Sequence, residues 1–401
     1  MSRIARSLEG PIFSFFRYGR WKGRRSGLPV AGPFILVFGN LLFVSTFCLG
    51  AYLPPLFSGD WRPPLFFAMG DELGRAVTKT PAGTFYNADS TLEHEFFRLS
   101  DAAGMPLLYY ADITTPVCID NLCKPMHIAI YWNLVGAYVG YGVFAKDPLT
   151  KYDHDEFLSA DHEQLHRLLL DANSVLKRQA LSDLFEETAA PAERVTYKGE
   201  EVDAVSGATR KEIAESVVEG ALYSCYTIWH LVHSPVSEQI QGYTAASYND
   251  ALERQFLYAP YADYRLFAMK QLEASDFRGH LPQLLTIFET GTPLLRTYLL
   301  KKLPVDLWAE PEVTASLYGA FSTVDINSRT LLLDHLPDAD PQALVLLAEQ
   351  VTAMSKNQLR SYLQHLEKRE EVDAAIRTQL EAAAGDVAYP HAYLIGRFLG
   401  Q

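Results

Sequence analysis

From Ser26 to Gly59 the chain carries no charged side chain. A stretch this long without charge has few places to go in water. Its most apolar part, from Phe34-Ile35-Leu36-Val37-Phe38 to Leu49-Gly50-Ala51-Tyr52-Leu53, is long enough to cross a bilayer as one helix. The preceding arm holds Arg3, Arg6, Arg17, Arg20, Lys22, Arg24 and Arg25 against a single acid, Glu9. Basic residues on that side predict a cytoplasmic N-terminus and an exported body. No small-x-small cleavage site follows the run, so the expectation is a retained anchor rather than a signal peptide. This gives a basic arm over 1–30, a transmembrane helix over 31–54, and a single-pass protein of the inner (cytoplasmic) membrane with its body in the periplasm. The net charge is −13 despite the basic arm, so the body is acidic and general nucleic-acid binding is excluded.

An exported body changes the reading of the cysteines. Of the four, Cys48 lies in the apolar run and Cys225 on an apolar helical pattern. Cys118 and Cys123 form a C-x4-C pair, for which an oxidising compartment favours a disulfide. The sharper alternative is a redox-active dithiol. The spacing indicates neither covalent haem nor a zinc site.

Residues 76–234 read as one α+β domain. Leu107–Ala111, His127–Trp132 and Val135–Phe144 have the β-branched, aromatic and alternating character of strands. Glu93–Leu99 is a short helix or strand, Leu165–Leu170 is helical, and Val195–Tyr197 with Val202 suggests a small hairpin. His162 and His166 are four apart on a helical pattern, but spacing fixes no third ligand. The expectation there is a solvated helix start capped by Ser159 or Asp161, with no metal.

The segment Asp203-Ala204-Val205-Ser206-Gly207-Ala208-Thr209 is the most specific motif in the chain. Ser206, Gly207 and Ala208 are small enough for a bulky ring to approach the backbone, and Gly207 tolerates positive φ. Ile213, Val217, Ala221, Leu222, Cys225, Ile228, Trp229 and Val232 then recur at helical steps. Thr209 would stand at a helix N-terminus, where free N–H groups favour a phosphate, beside Arg210 and Lys211. The segment resembles the Asp-x-x-Ser-Gly-Ala-Thr signature of the FMN-binding domain family. The resemblance implies FMN joined to Thr209 through a phosphoester. It also implies a flavin transferase as maturation partner, recognising a sequence that includes Asp203. One position departs from the family, which often has Ser or Thr where this chain has Lys211. Ser206, Gly207 and Ala208 would contribute to flavin binding, and Tyr131, Trp132, Tyr138 and Tyr141 are candidates either to line the ring or to fill the core.

After a polar connector, Ser234 to Asn249, the pattern over 250–401 becomes helical. Arg265, Arg296, Arg329 and Arg360 each open a similar apolar stretch, at separations of 31, 33 and 31 residues. This is the mark of stacked helical hairpins and resembles HEAT-like α-solenoids. The expected fold is therefore a transmembrane helix, an α+β FMN-binding-like domain and an all-α repeat region. The expected function is electron relay by a covalent flavoprotein subunit of a membrane redox complex, docking membrane or periplasmic redox proteins through its repeats. Two rivals are a non-flavinylated scaffold and a thiol–disulfide protein acting through Cys118 and Cys123.

Overall fold

Along Pro106–Thr115 and Met126–Trp132 alternate side chains enter the two buried faces of a sheet. The computed structural model describes residues 62–86, 92–117, 125–151, 154–179, 195–197, 200–202, 213 and 215–400. The apolar run over 31–54, the cysteine pair and the motif 203–209 lie outside these residues. Among the described residues no helix is long and apolar enough to cross a membrane.

Six antiparallel strands form the sheet: β1 (Phe66–Phe67), β2 (Thr78–Tyr86), β3 (Glu93–Ser100), β4 (Pro106–Thr115), β5 (Met126–Trp132) and β6 (Tyr138–Val143). Their order is β1-β6-β5-β4-β3-β2. Tyr109, Ile113, Ile128, Ile130, Trp132 and Tyr141 point into the larger core, toward the helices. Leu108, Tyr110, Ala129 and Tyr131 take the opposite face, in a smaller cluster closed by Leu73 of the short helix α1 (Glu72–Arg75). A separate hairpin pairs β7 (Val195–Tyr197) with β8 (Glu200–Val202).

Strand β2 was not legible in the sequence, because Pro81 and Gly83 read as a turn. It is an edge strand, and its register against β3 shifts between those two residues, which is where a strand tolerates proline. The expected strand over 135–144 begins only at Tyr138. Residues 133–137 instead form a turn with Gly136 at φ +76°.

The sheet's larger face is covered by α2 (Ser159–Leu170) and α3 (Leu222–Val232). The helix expected to run on from the motif is broken. Helical residues at 213 and 215–216 are followed by a bend and by Gly220 at φ +74°, and α3 starts afresh at Leu222. The polar connector is also a helix, α4 (Val236–Ala246). Val236, Ile240 and Thr244 are buried one turn apart, and that narrow stripe fixes it.

Eleven further helices follow: α5 (Asp250–Tyr258), α6 (Ala262–Gln271), α7 (Phe277–Thr290), α8 (Pro293–Lys302), α9 (Val305–Trp308), α10 (Pro311–Gly319), α11 (Ile326–Asp334), α12 (Gln342–Ala348), α13 (Lys356–Glu367), α14 (Ala374–Ala384) and α15 (Ala392–Leu399). Apart from the four-residue α9, these helices pack in two rows. In one row α5, α7, α10, α12 and α14 succeed one another; in the other, α6, α8, α11, α13 and α15. The repeat arginines seal these pairs. Arg265 Nε donates to the Ala259 carbonyl (2.7 Å) and Arg296 Nε to that of Phe288 (2.8 Å). Arg329 donates to three carbonyls, of Val324 (2.9 Å), Ala353 (2.8 Å) and Ser322 (2.6 Å). Arg265 and Arg296 thus satisfy carbonyls at the C-terminal end of the preceding helix, and Arg329 satisfies two in the loop after α10 and one in the 3-10 turn Val351–Ala353.

The sheet and the helical rows share one core. The turn between β5 and β6 is the joint. Trp132 Nε1 donates to the Val232 carbonyl (2.9 Å), and the Leu134 amide donates to the Tyr264 hydroxyl (3.0 Å). Thr244 Oγ1 donates to the Leu134 carbonyl (2.5 Å), Ser237 Oγ to that of Gly136 (2.8 Å), and Asn133 Nδ2 to Asp263 (2.5 Å).

Candidate functional site

The motif Asp203–Thr209, with Ser206, Gly207 and Ala208, lies outside the described residues, but both its flanks are described. Strand β8 ends at Val202, one residue before Asp203. On the far side Ile213, Val217 and Val218 are buried in the large core. Gln164 of α2 donates through Nε2 to the Val217 carbonyl (2.7 Å) and the Glu215 carbonyl (3.3 Å). Ser216 Oγ donates to the Ile213 carbonyl (3.0 Å). The chain therefore leaves the motif on a short helical turn fastened to α2.

The aromatic residues named as candidates to line a ring are occupied by the core. Trp132 gives its indole N–H to Val232. Tyr131, on the opposite face, donates to the Arg62 carbonyl. Tyr138 and Tyr141 of β6 reach α2, where their hydroxyls meet His166 Nδ1 (2.9 Å) and His162 Nδ1 (2.8 Å). Buried hydroxyls and indole N–H groups need partners, and these find them within the protein. None of the four presents a free ring face.

The same pairs answer the question of His162 and His166. The histidines do share a helix face, but each takes its own tyrosine. Burial lowers the pKa of both rings, although Asp161 works against this at His162. Burial also pushes the Tyr138 and Tyr141 hydroxyls far up. Both pairs are therefore neutral; the imidazole tautomer sets which partner donates, and the Tyr141 hydroxyl also donates to the His162 carbonyl (3.2 Å). Phe66 stacks on His166 at 4.9 Å. Asp161 does work at the helix start, accepting from the Leu158 amide (2.8 Å) and pairing with Lys151 (2.9 Å). Among the described residues no group of three or more His, Cys, Asp or Glu is arranged to hold a metal. Cys225 is buried, and burial pushes its thiol up to about 12, so it stays protonated and inert.

Cys118 and Cys123 lie outside the described residues, in the connection from β4 to β5. Near it is a polar cluster that sequence reading missed. His127 Nε2 meets Asp112 Oδ1 at 2.6 Å, and its Nδ1 lies 3.7 Å from Asp147. The imidazole stacks on Phe144 at 3.4 Å between centroids and 7° between planes. The Tyr110 hydroxyl donates to Asp112 (3.4 Å) and accepts from the Arg62 amide (3.3 Å). This oriented imidazole–carboxylate pair is partly exposed. Its only sequence signal was alternation, which puts Tyr110 and Asp112 on one face; the pairing with His127 depends on strand register.

No protein-family model, curated protein or solved structure matches the chain.

Proposed function

We propose that this chain is a membrane-anchored flavoprotein of the FMN-binding domain type, with FMN on Thr209 and its body outside the cytoplasm. It relays electrons within a membrane redox complex. The observation that carries the reading is the complete Asp-x-x-Ser-Gly-Ala-Thr match at Asp203–Thr209. Its flanks support it: a β-hairpin ends immediately before Asp203, and a short helical turn fastened to α2 follows the motif. FMN supplies transfer of one or two electrons. The chain's own residues supply attachment and position. Thr209 is the ester oxygen, Asp203 belongs to the sequence the transferase reads, and Gln164 and Ile213 hold the downstream flank against the sheet. Since Tyr131, Trp132, Tyr138 and Tyr141 are committed to the core, the ring lies outside that aromatic set. The anchor is the uncharged run over 31–54 behind its basic arm.

The test is intact mass of the protein purified from its native membrane, beside Thr209→Ala. The expected outcome is an addition equal to FMN less water that is absent from the variant. Unmodified mass in both, without flavin fluorescence, would sink the proposal.

A second reading is favoured by the two helical rows. Successive helices packed in two rows suit a HEAT-like stack, the kind of surface a scaffold or docking region requires. This reading stands without the flavin, and it is the account left if Thr209 carries nothing. Under either reading the repeats are where a redox partner or neighbouring subunit docks.

A further inference from the structure

The helical rows have two edges, and the edges differ in chemistry. Five turns lead from the first row to the second: α5 to α6, α7 to α8, α10 to α11, α12 to α13 and α14 to α15. Bonds between successive turns place them along one edge. Arg296 Nη1 meets Asp325 Oδ2 at 3.5 Å, the Ser322 amide donates to Gln350 Oε1 (2.8 Å), and the Tyr389 hydroxyl donates to the Met354 carbonyl (3.2 Å). The turns that return from the second row to the first form the opposite edge, where Arg278 reaches Asp306 (3.2 Å) and Glu310 (2.8 Å).

Charge separates the two edges. Every returning turn carries at least two acids, such as Glu273 and Asp276, or Asp338 and Asp340. The five turns of the first edge hold no Lys or Arg, and their acids are Asp325, Glu349 and Asp386, the first of which is paired with Arg296. The repeat arginines beside these turns do not offset this, because Arg265, Arg296 and Arg329 are turned onto carbonyls. Exposed apolar side chains follow the same division. Tyr258, Leu294, Ile326, Val387 and Tyr393, each more than half exposed, stand at the turns of the first edge. Among the described residues the opposite edge shows one such side chain, Val305.

The spacing says what this edge meets. Single apolar side chains set about one helix apart, roughly 8–10 Å, suit a bilayer, which takes an inserted side chain at any point. A protein partner instead concentrates its binding energy in one packed centre. Tyr258 and Tyr393 are also of a type enriched where water meets lipid. The edge starts beside the chain's entry into the body. The uncharged run ends at Gly59, and the described body opens at Arg62. In that opening segment the Gly70 amide donates to the hydroxyl of Tyr261 (2.6 Å), in the first turn of this edge, and Tyr261 donates to Glu72 (3.1 Å).

We propose that this edge lies on the bilayer surface, with Tyr258, Leu294, Ile326, Val387 and Tyr393 entering the interfacial layer. The inference rests on the anchor over 31–54, which keeps the body beside the membrane. The acidic edge faces away from the lipid, and partners reach the stack from that side.

The test uses the full chain in phosphatidylcholine vesicles that contain a phosphatidylcholine with a diazirine at the upper end of one acyl chain. After illumination, the residues carrying lipid adducts are mapped by tandem mass spectrometry. The expected result is adducts in the run over 31–54 and at or beside Tyr258, Leu294, Ile326 and Tyr393, with none around Glu273 or Asp338. Leu294→Glu combined with Ile326→Glu, both at exposed positions, should abolish the adducts along the edge and leave those in the run. Adducts in the run alone would overturn the inference, leave the anchor standing and assign the edge to a protein partner. Adducts along the edge alone would overturn the anchor and uphold the edge. Adducts nowhere would overturn both. Equal labelling of the two edges, or edge labelling unchanged in the folded double variant, would also overturn the inference.

Discussion

Single residues in this protein repeatedly settle what a stretch of chain means. His233, just past α3, is one such residue. Burial lowers its pKa to about 4, although its bond to the Leu169 carbonyl (3.1 Å) works in the other direction. The unfolded chain holds a histidine near pH 6.5, so below that pH the unfolded state takes up a proton that the folded state refuses. The stability contributed by neutral His233 is thus complete above about pH 6.5 and declines as pH falls toward about 4. Urea midpoints across that window should fall in the native protein. In His233→Gln, which keeps a donor for Leu169, the slope should be shallower; an equal slope in both proteins rules His233 out as the cause. His162 and His166 show the limit of reading residues by spacing. Their four-residue separation was legible, but the tyrosines that claim them come from β6 and follow from packing alone.

At the level of elements, the legible features were those whose periodicity ran undisturbed. Strands β4 and β5 were readable because β-branched and aromatic residues dominate them. Strand β2 was hidden by Pro81 and Gly83, and α4 by a buried stripe only three residues deep. The repeat arginines were visible, but their direction was not, since carbonyls of a neighbouring helix leave no trace in sequence. Arg329 is the strongest of these clasps. Arg329→Ala should cost about 2 kcal/mol or more, because three carbonyls lose a charged donor. The exposed Arg360 should tolerate alanine within about 0.5 kcal/mol. Thermal denaturation of the two variants side by side checks this, and equal losses would reject the clasp. The cysteines belong to this scale too. The last described pair of β4 and β5 is Thr115↔Met126, and Cys118 and Cys123 stand three residues beyond it on either side. With the body exported as proposed, an oxidising compartment favours a disulfide between them. Alkylation and mass analysis of the exported protein without reductant should find no free thiol at either position; two alkylated thiols would argue against the bond.

For the molecule as a whole, the sequence suggested a change of domain near residue 250, where the pattern turns wholly helical. The boundary is visible as a change of periodicity, yet the packing runs across it through residues 133–137. Gly136 makes this testable. It has φ +76°, and a Cβ there would meet the Ser237 carbonyl oxygen at 2.4 Å. Gly136→Ala should destabilise by about 1–3 kcal/mol. The loss should appear together in near-ultraviolet signals from the sheet's aromatics and in helical ellipticity. If only one signal shifts, the two halves melt separately. The sequence could not foretell this joint, because it joins a glycine turn to side chains some hundred residues later.

The joint also has a mechanical meaning. Asn133 and Leu134 are held by Asp263 and Tyr264 of α6, in the first turn of one helical row. A load applied far along that row arrives at the tip of the β5–β6 hairpin through these bonds. Those two strands lie inside the sheet, flanked by β4 on one side and β1 on the other. The load therefore meets ladders on both sides rather than one peeling edge. A partner that grips the helices and pulls works against paired strands, so the stack behaves as a handle and not as a tether.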